Sequence, residues 1–222
     1  MSNDQTLTDV VLDQNVNDAA ATRSLLYGLL VQAFTHPQGS QLLRLLDGDL
    51  HADIAVALEQ LPLGIEAPQL ADAPSGVDVI RDTQGIFNDL FEVSGGSPRG
   101  SLLERRYCET PEQQLWEDLL RYYKHFGLDF SAGGASEQPD HLLTELSFMH
   151  YLCFLEAGAK GGQESYQRGQ RDFLANHLAK WASGFAEWFA SVEHPGPYSS
   201  LARTVAQVTE ADLVLLNAEL ES

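Results

Sequence analysis

Cysteine is almost missing from this chain. Cys108 and Cys153 are the two in 222 residues, too few for a disulfide scaffold or a zinc ribbon and not spaced as a C-x-x-C redox pair, and they suit a reducing compartment. Cations are scarce as well, with 13 Lys and Arg against 32 Asp and Glu and a formal charge of −19. Such a polyanion repels nucleic acid and anionic lipid surfaces, and its natural complement is a basic partner. No apolar run approaches the roughly 20 residues of a membrane span, and the N-terminus MSNDQTLTDVVLDQ carries acids where a signal peptide has Lys or Arg. We therefore expect a cytoplasmic protein with no stable membrane insertion and no nucleic-acid partner. Alternating strands joined by hairpin turns, a strand leading to a phosphate loop, and a fixed-period repeat are all missing, which excludes nucleotide-binding α/β folds and solenoids.

What the chain has is helix. After an acidic lead-in expected to be flexible at 1–18, Leu25, Leu26, Leu29, Leu30, Ala33 and Phe34 recur at helical spacing until His36-Pro37 ends the run. Shorter helices are expected at 39–50 and 51–60, followed by a Pro-containing connector at 64–76. A helix at 77–93 carries Ile86, Phe87, Leu90 and Phe91 and leads into the loop SGGSPRGS. Glu112–Phe126 reads as a strong helix, FSAGGASEQ as a second loop, and Pro139 as the first helical residue of a segment running to about Gly158. A single long helix is expected over Tyr166–Val192, with Phe173, Trp181, Phe185 and Phe189 inward, and a last one over Ser199–Glu219. The fold class is all-α: one helical-bundle domain over 19–222, subdivided by a loop near 131–138.

The segment EQPDHLLTELSFMHYL is the most distinctive. Pro139 at the first helical position costs no hydrogen bond, and Asp140 beside it places a carboxylate at the positive end of the helix dipole. That suffices as a structural cap. His141 and Glu145, at i and i+4, share a helical face in the manner of two metal ligands. No second ligand pair accompanies them, and His150, nine residues on, faces the other way, so no metal is expected. The chain has no G-x-S-x-G elbow, no H-E-x-x-H and no phosphate-loop lysine, which argues against catalysis. Phe87 and Phe91, beside a glycine-rich loop, suit a groove for a peptide.

Glu137-Gln138-Pro139-Asp140-His141-Leu142, followed by Glu145-Leu146-Ser147-Phe148-Met149, resembles the E-x-P-D-H-L-x-x-E-L-x-F-M signature of the TorD, DmsD and NarJ type of redox-enzyme maturation chaperone. Arg23-Ser24-Leu25-Leu26-Tyr27-Gly28-Leu29-Leu30, ending at Phe34 and Pro37, is similar to the family's first helix. Phe87-Asn88-Asp89-Leu90-Phe91, leading to Gly95, Pro98 and Tyr107, is similar to its aromatic helix and loop. One departure is the segment SGGSPRGSLLERRY, which lacks the family's Pro-Tyr step and carries Arg99, Arg105 and Arg106. Together with the long C-terminal region, it looks more like the chaperones of dimethylsulfide and ethylbenzene dehydrogenases than those of trimethylamine-oxide reductase.

The resemblance implies an all-α, TorD-like fold with a hinge before the E-x-P-D-H helix and, in some members, domain-swapped dimers. It implies no cofactor of the chain's own and no enzymatic activity. The implied partner is the catalytic subunit of a molybdenum oxidoreductase, commonly gripped at its twin-arginine signal peptide and held from export until bis-molybdopterin guanine dinucleotide is inserted. Two guanidiniums and an apolar stretch call for carboxylates beside an apolar groove. The candidates are Glu137 and Asp140 for the charge, Phe87, Phe91 and Leu142 for the groove, and Pro139, His141 and Glu145 within the motif. The competing reading is a small nucleotide-binding or hydrolytic enzyme using the glycine loops and the His141/Glu145 pair.

Overall fold

The computed structural model describes residues 18–67, 79–92, 99–130 and 137–221. The lead-in, Asp18 apart, and most of the connector lie outside them, as do Gly95, Gly96, Pro98, Gly133 and Gly134. Among the described residues all regular structure is helical. The helices are α1 (Asp18–Phe34), α2 (Gly39–Leu46), α3 (Asp49–Glu59), α4 (Val79–Phe91), α5 (Glu112–His125), α6 (Leu142–Gly158), α7 (Gln163–Asn176), α8 (Leu178–Ala190) and α9 (Tyr198–Glu221), with a 3-10 turn at Glu104–Arg106.

The ends of these helices follow local chemistry. Pro37 disfavours helical geometry at His36 and stops α1. Gly48, at φ +83°, turns the chain between α2 and α3 in a conformation open to glycine and costly for other residues. α1 is apolar nearly all round. Its Leu26, Tyr27, Leu30 and Phe34 are fully buried in one core with Leu146, Met149, Leu152 and Cys153 of α6 and the aromatic row Trp181, Phe185 and Phe189 of α8, where the Phe34 ring lies 5.5 Å from Phe185. Each such side chain contributes about 1.5–3 kcal/mol. α9 closes the bundle through Leu201, Val205, Val208 and Leu216. In α7, a Cβ on Gly169 would fall 2.3 Å from the Phe126 ring, so glycine is what lets α7 approach the end of α5.

Two expectations about helix bounds need correction. Tyr166–Val192 is two helices, since the chain breaks at His177, with φ −129° and ψ −98°. The break has no proline or glycine to announce it. It turns the His177 ring inward, where Nδ1 lies 3.2 Å from Glu104 and Nε2 lies 3.3 Å from Asp118. Nor is Pro139 the first helical residue. α6 begins at Leu142, and its cap is the ring of His141, whose Nδ1 accepts from the backbone N–H of Leu143 at 3.2 Å.

One buried cation ties the bundle together. Arg23 of α1, 2% exposed, ion-pairs through Nε with Asp212 of α9 at 2.7 Å and through Nη1 with Glu156 of α6 at 3.3 Å. Its Nη2 donates to Gln170 of α7. Gln170 in turn donates to Glu156 at 2.9 Å, and Tyr27 donates to Asp212 at 2.8 Å. Burial alone would lower the Arg23 pKa, but Cys153, Asp212 and Glu156 together hold it above its ordinary value, so the charge stays. Burial, with Asp212 beside it, pushes the Tyr27 hydroxyl up. Removing one partner of such a network leaves charges buried without compensation, at a cost of about 3–5 kcal/mol. Arg23→Ala should therefore lower the melting temperature by about 10 °C or more. A drop of only about 2 °C in thermal unfolding would show that the network does not hold the helices.

Candidate functional site

The site is assembled where the chain before α6 zips onto the chain before α5. The N–H of Leu142 donates to the carbonyl of Leu102 at 2.7 Å and that of Glu104 to the carbonyl of Asp140 at 2.8 Å, an isolated antiparallel bridge centred on Leu103 and His141. Tyr123 of α5 donates to the carbonyl of Pro139 at 2.8 Å and Thr144 to that of Gln138 at 2.9 Å. The turn that enters α6 is thus gripped from both sides.

Asp140 is fully buried. Its carboxylate accepts from Arg105 Nη1 at 2.7 and 3.0 Å and from the Trp116 indole at 2.8 Å. Arg105 also reaches Gln138 and Glu112 and lies over the Trp116 ring. A buried carboxylate needs such donors. The sequence reading missed this role for Arg105, and it set Trp116 among the core aromatics. The available signal was the departure itself: Glu104-Arg105-Arg106 supplies a guanidinium where a buried acid requires one.

Glu145 is also fully buried, so it and His141 do not form a joint surface pair. Its Oε2 accepts from the Trp181 indole at 3.0 Å, while Oε1 has no donor and faces Glu104. Burial, and then the Glu104 carboxylate, pushes the Glu145 carboxyl well above its ordinary range, and a proton held there supplies the missing hydrogen bond to Glu104. Burial likewise lowers the His141 pKa, against the pull of Glu137 and Asp140. The ring is therefore neutral near pH 7, with its proton on Nε2, 3.6 Å from Glu137. Among the described residues no group of three or more His, Cys, Asp or Glu is placed to hold a metal ion.

The outward side of the same motif borders a groove of about 560 Å³. Val31 of α1 and Thr35 just after it, Leu143, Thr144, Ser147, Phe148 and Tyr151 of α6, and Tyr123 of α5 with Leu128 and Phe130 beyond its end line it, with the exposed carboxylate of Glu137 at its edge. The wall is mostly apolar. Of the expected site residues only Glu137 lines this groove. Pro139, Asp140, Leu142 and Glu145 lie buried beneath the motif, and His141 is half-buried at the cap. Phe87 and Phe91 belong to a different cluster. Phe87 is buried with its ring 5.1 Å from Phe91 and 5.2 Å from His36, and Phe91 packs 5.6 Å from Tyr198 and 5.8 Å from Phe189. The groove-lining Val31, Thr35, Leu128, Phe130 and Tyr151 went unseen in the sequence because they come together only through the packing of α1 against α6.

The model of the family described as nitrate reductase delta subunit matches residues 54–187. The perchlorate reductase assembly chaperone protein of Dechloromonas aromatica is 31% identical over 79% of this chain and 81% of its own length. The dimethyl sulfide dehydrogenase assembly chaperone protein of Rhodovulum sulfidophilum is 32% identical over 78% and 71%. The chlorate reductase assembly chaperone protein of Ideonella dechloratans is 34% identical over 54% of this chain, and the match spans 63% of that relative, just under two thirds of its length. A crystal structure of an Archaeoglobus fulgidus protein assigned to redox enzyme maturation superposes with a TM-score of 0.50 at 20% identity, over 85% of this chain and 93% of the other, a likeness of fold.

The proton between Glu145 and Glu104 makes a prediction with a sign. A carboxyl whose folded pKa is raised contributes stability that is fully present below its ordinary range, near pH 4, and is lost as pH rises toward the folded value. Glutamine at this position keeps the Trp181 bond and donates to Glu104 at every pH. Glu145→Gln should match the parent chain at about pH 4 and melt at a higher temperature than it at about pH 8. Melting curves whose difference is constant across this range would remove the shared proton.

Proposed function

The chain belongs to the nitrate reductase delta subunit family, that of the TorD/NarJ-type assembly chaperones, and we propose that it matures the catalytic subunit of a molybdenum oxidoreductase. The observation that carries this reading is the apolar groove ending on the Glu137 carboxylate in a chain of net charge −19. A twin-arginine signal peptide presents the complement, two guanidiniums followed by an apolar stretch. The guanidiniums meet Glu137, and the apolar stretch enters the groove.

In this reading the motif has two sides. Glu137 and His141 meet the peptide, while Pro139, Asp140, Leu142 and Glu145 hold their helix end in place from beneath. Phe87 and Phe91, packed in their separate cluster with Tyr198 and Phe189, take no part in this contact. The client stays in the cytoplasm while bound and is released to export after bis-molybdopterin guanine dinucleotide has entered it, the cofactor being the client's own. The relatives named for perchlorate, chlorate and dimethyl sulfide enzymes support an oxidoreductase of that group as client.

The test is affinity capture. The tagged chain, drawn from its native cytoplasm under respiratory induction, should retain one large oxidoreductase subunit with its leader uncleaved. Ser147→Arg places an exposed cation on the groove wall without disturbing the core, and it should abolish that capture at unchanged helix content. Asp140→Ala should reduce both capture and thermal stability, because Arg105 and Trp116 lose their shared acceptor. Capture undiminished by Ser147→Arg would move the peptide to another surface.

A further inference from the structure

The break between α7 and α8 serves a carboxylate. Glu104, in the 3-10 turn, is 2% exposed, and among the described residues the basic side chain that faces its carboxylate is His177. The ring reaches it through Nδ1, which lies 3.2 and 3.3 Å from the two oxygens. A carboxylate only accepts, so Nδ1 is the donor. On its other side the ring is held loosely. Nε2 lies 3.3 Å from Asp118 without the alignment of a hydrogen bond, and Asp118, half open to water, also faces Arg121 at 3.3 Å. A buried hydrogen bond outweighs such an exposed contact. The arm that matters is the one from Nδ1 to Glu104.

From Glu104 the contact runs on into the recognition turn. Its backbone N–H donates to the carbonyl of Asp140 at 2.8 Å, one residue from the bridge between Leu103 and His141. Its side chain meets Glu145 in the first turn of α6. Trp181, in the first turn of α8 just past the break, donates to the other oxygen of Glu145 at 3.0 Å. His141 in turn stands 3.6 Å from Glu137. His177 lies outside the groove, yet Glu104 and the Asp140-His141 step connect it to the exposed acid of the motif.

Without Nδ1 the Glu104 carboxylate would be a buried acceptor one donor short, and the 3-10 turn would have to shift to hydrate it. The same residue carries the N–H that holds Asp140, so the turn before α6 would shift with it. We infer that His177 is a positioning residue of the recognition site: through Glu104 it sets the orientation of the turn that presents Glu137 and His141 to the peptide. The inference rests on the peptide-binding reading above and adds a residue, remote from the groove, through which that reading can be broken.

Two substitutions separate the two arms of the ring. His177→Asn places an amide N–H where Nδ1 stands and keeps the bond to Glu104. His177→Gln carries its amide out to the place of Nε2, toward Asp118, and leaves Glu104 short of a donor. The probe is a synthetic peptide of two adjacent arginines followed by an apolar stretch, added to the full chain at a temperature where the parent and both variants are folded by circular dichroism. His177→Asn should bind it within about twofold of the parent, and His177→Gln about tenfold more weakly. The ring resonances of His141 in nuclear magnetic resonance supply a readout that a merely structural break would not move. They should coincide in the parent and His177→Asn and shift in His177→Gln. Equal affinities in the two variants, parental or reduced, would overturn the positioning role and leave peptide recognition intact. A parent chain that binds no peptide would overturn that recognition, and His141 resonances unmoved in His177→Gln would then overturn the link to the turn as well.

Discussion

Arg23 is the constraint on which the rest depends. In a chain with a large excess of acid, one guanidinium placed inside the bundle gathers carboxylates from α6 and α9 and an amide from α7. Without it, Glu156 and Asp212 would be buried anions with no counter-charge, and the helices bearing them would separate or rotate to reach water. Because the guanidinium is planar and its donors are fixed, the network sets more than proximity. It fixes the register of α1 on α6, and that register forms the groove at the bundle surface. The arginine inside the first helix therefore governs a surface it never reaches.

The E-x-P-D-H segment obeys the same logic on a smaller scale. Asp140 has no exposure, and its charge is spent on Arg105 and Trp116. Glu145 is equally enclosed and stays neutral against Glu104. These acids tie together the turn before α6, the 3-10 turn before α5 and the start of α8, which is the work of a strut. What they hold in place is the pair that does reach solvent, Glu137 and the neutral ring of His141. A short motif thus carries both the exposed chemistry and the internal bracing that keeps it oriented.

The helices were legible wherever their apolar stripe met a clear stop: Pro37 after α1, Gly127 after α5, the glycines around 161–162 before α7. The break at His177 was not, because Phe173, Leu174, Leu178 and Trp181 continue the helical period straight across it. Its cause lies in Glu104 and Asp118, distant in sequence and invisible to periodicity. The site divides in the same way. The motif stood out as a string of letters, and Glu137 with Asp140 was the natural pair of acids to offer a cationic partner. Which of the two faces water depends on Arg105, thirty-five residues upstream, and no local pattern announces that contact. The groove was the least legible feature, since its walls come from α1, α5 and α6 and exist only once those helices are packed.

Acidity and the apolar groove explain each other. An apolar strip on a neutral protein invites self-association, because two such strips bury each other at no electrostatic cost. On a chain of net charge −19 the approach of a second copy is opposed over the whole surface, while a peptide led by arginines is drawn in. In the groove itself the wall is mostly apolar, and there burial of apolar surface, not the field, would hold a guest. Attraction at a distance and adhesion at contact are thus assigned to different residues. The many carboxylates outside the groove set who is drawn in, and the apolar side chains that line it, with Glu137 at its edge, set what such a groove accepts.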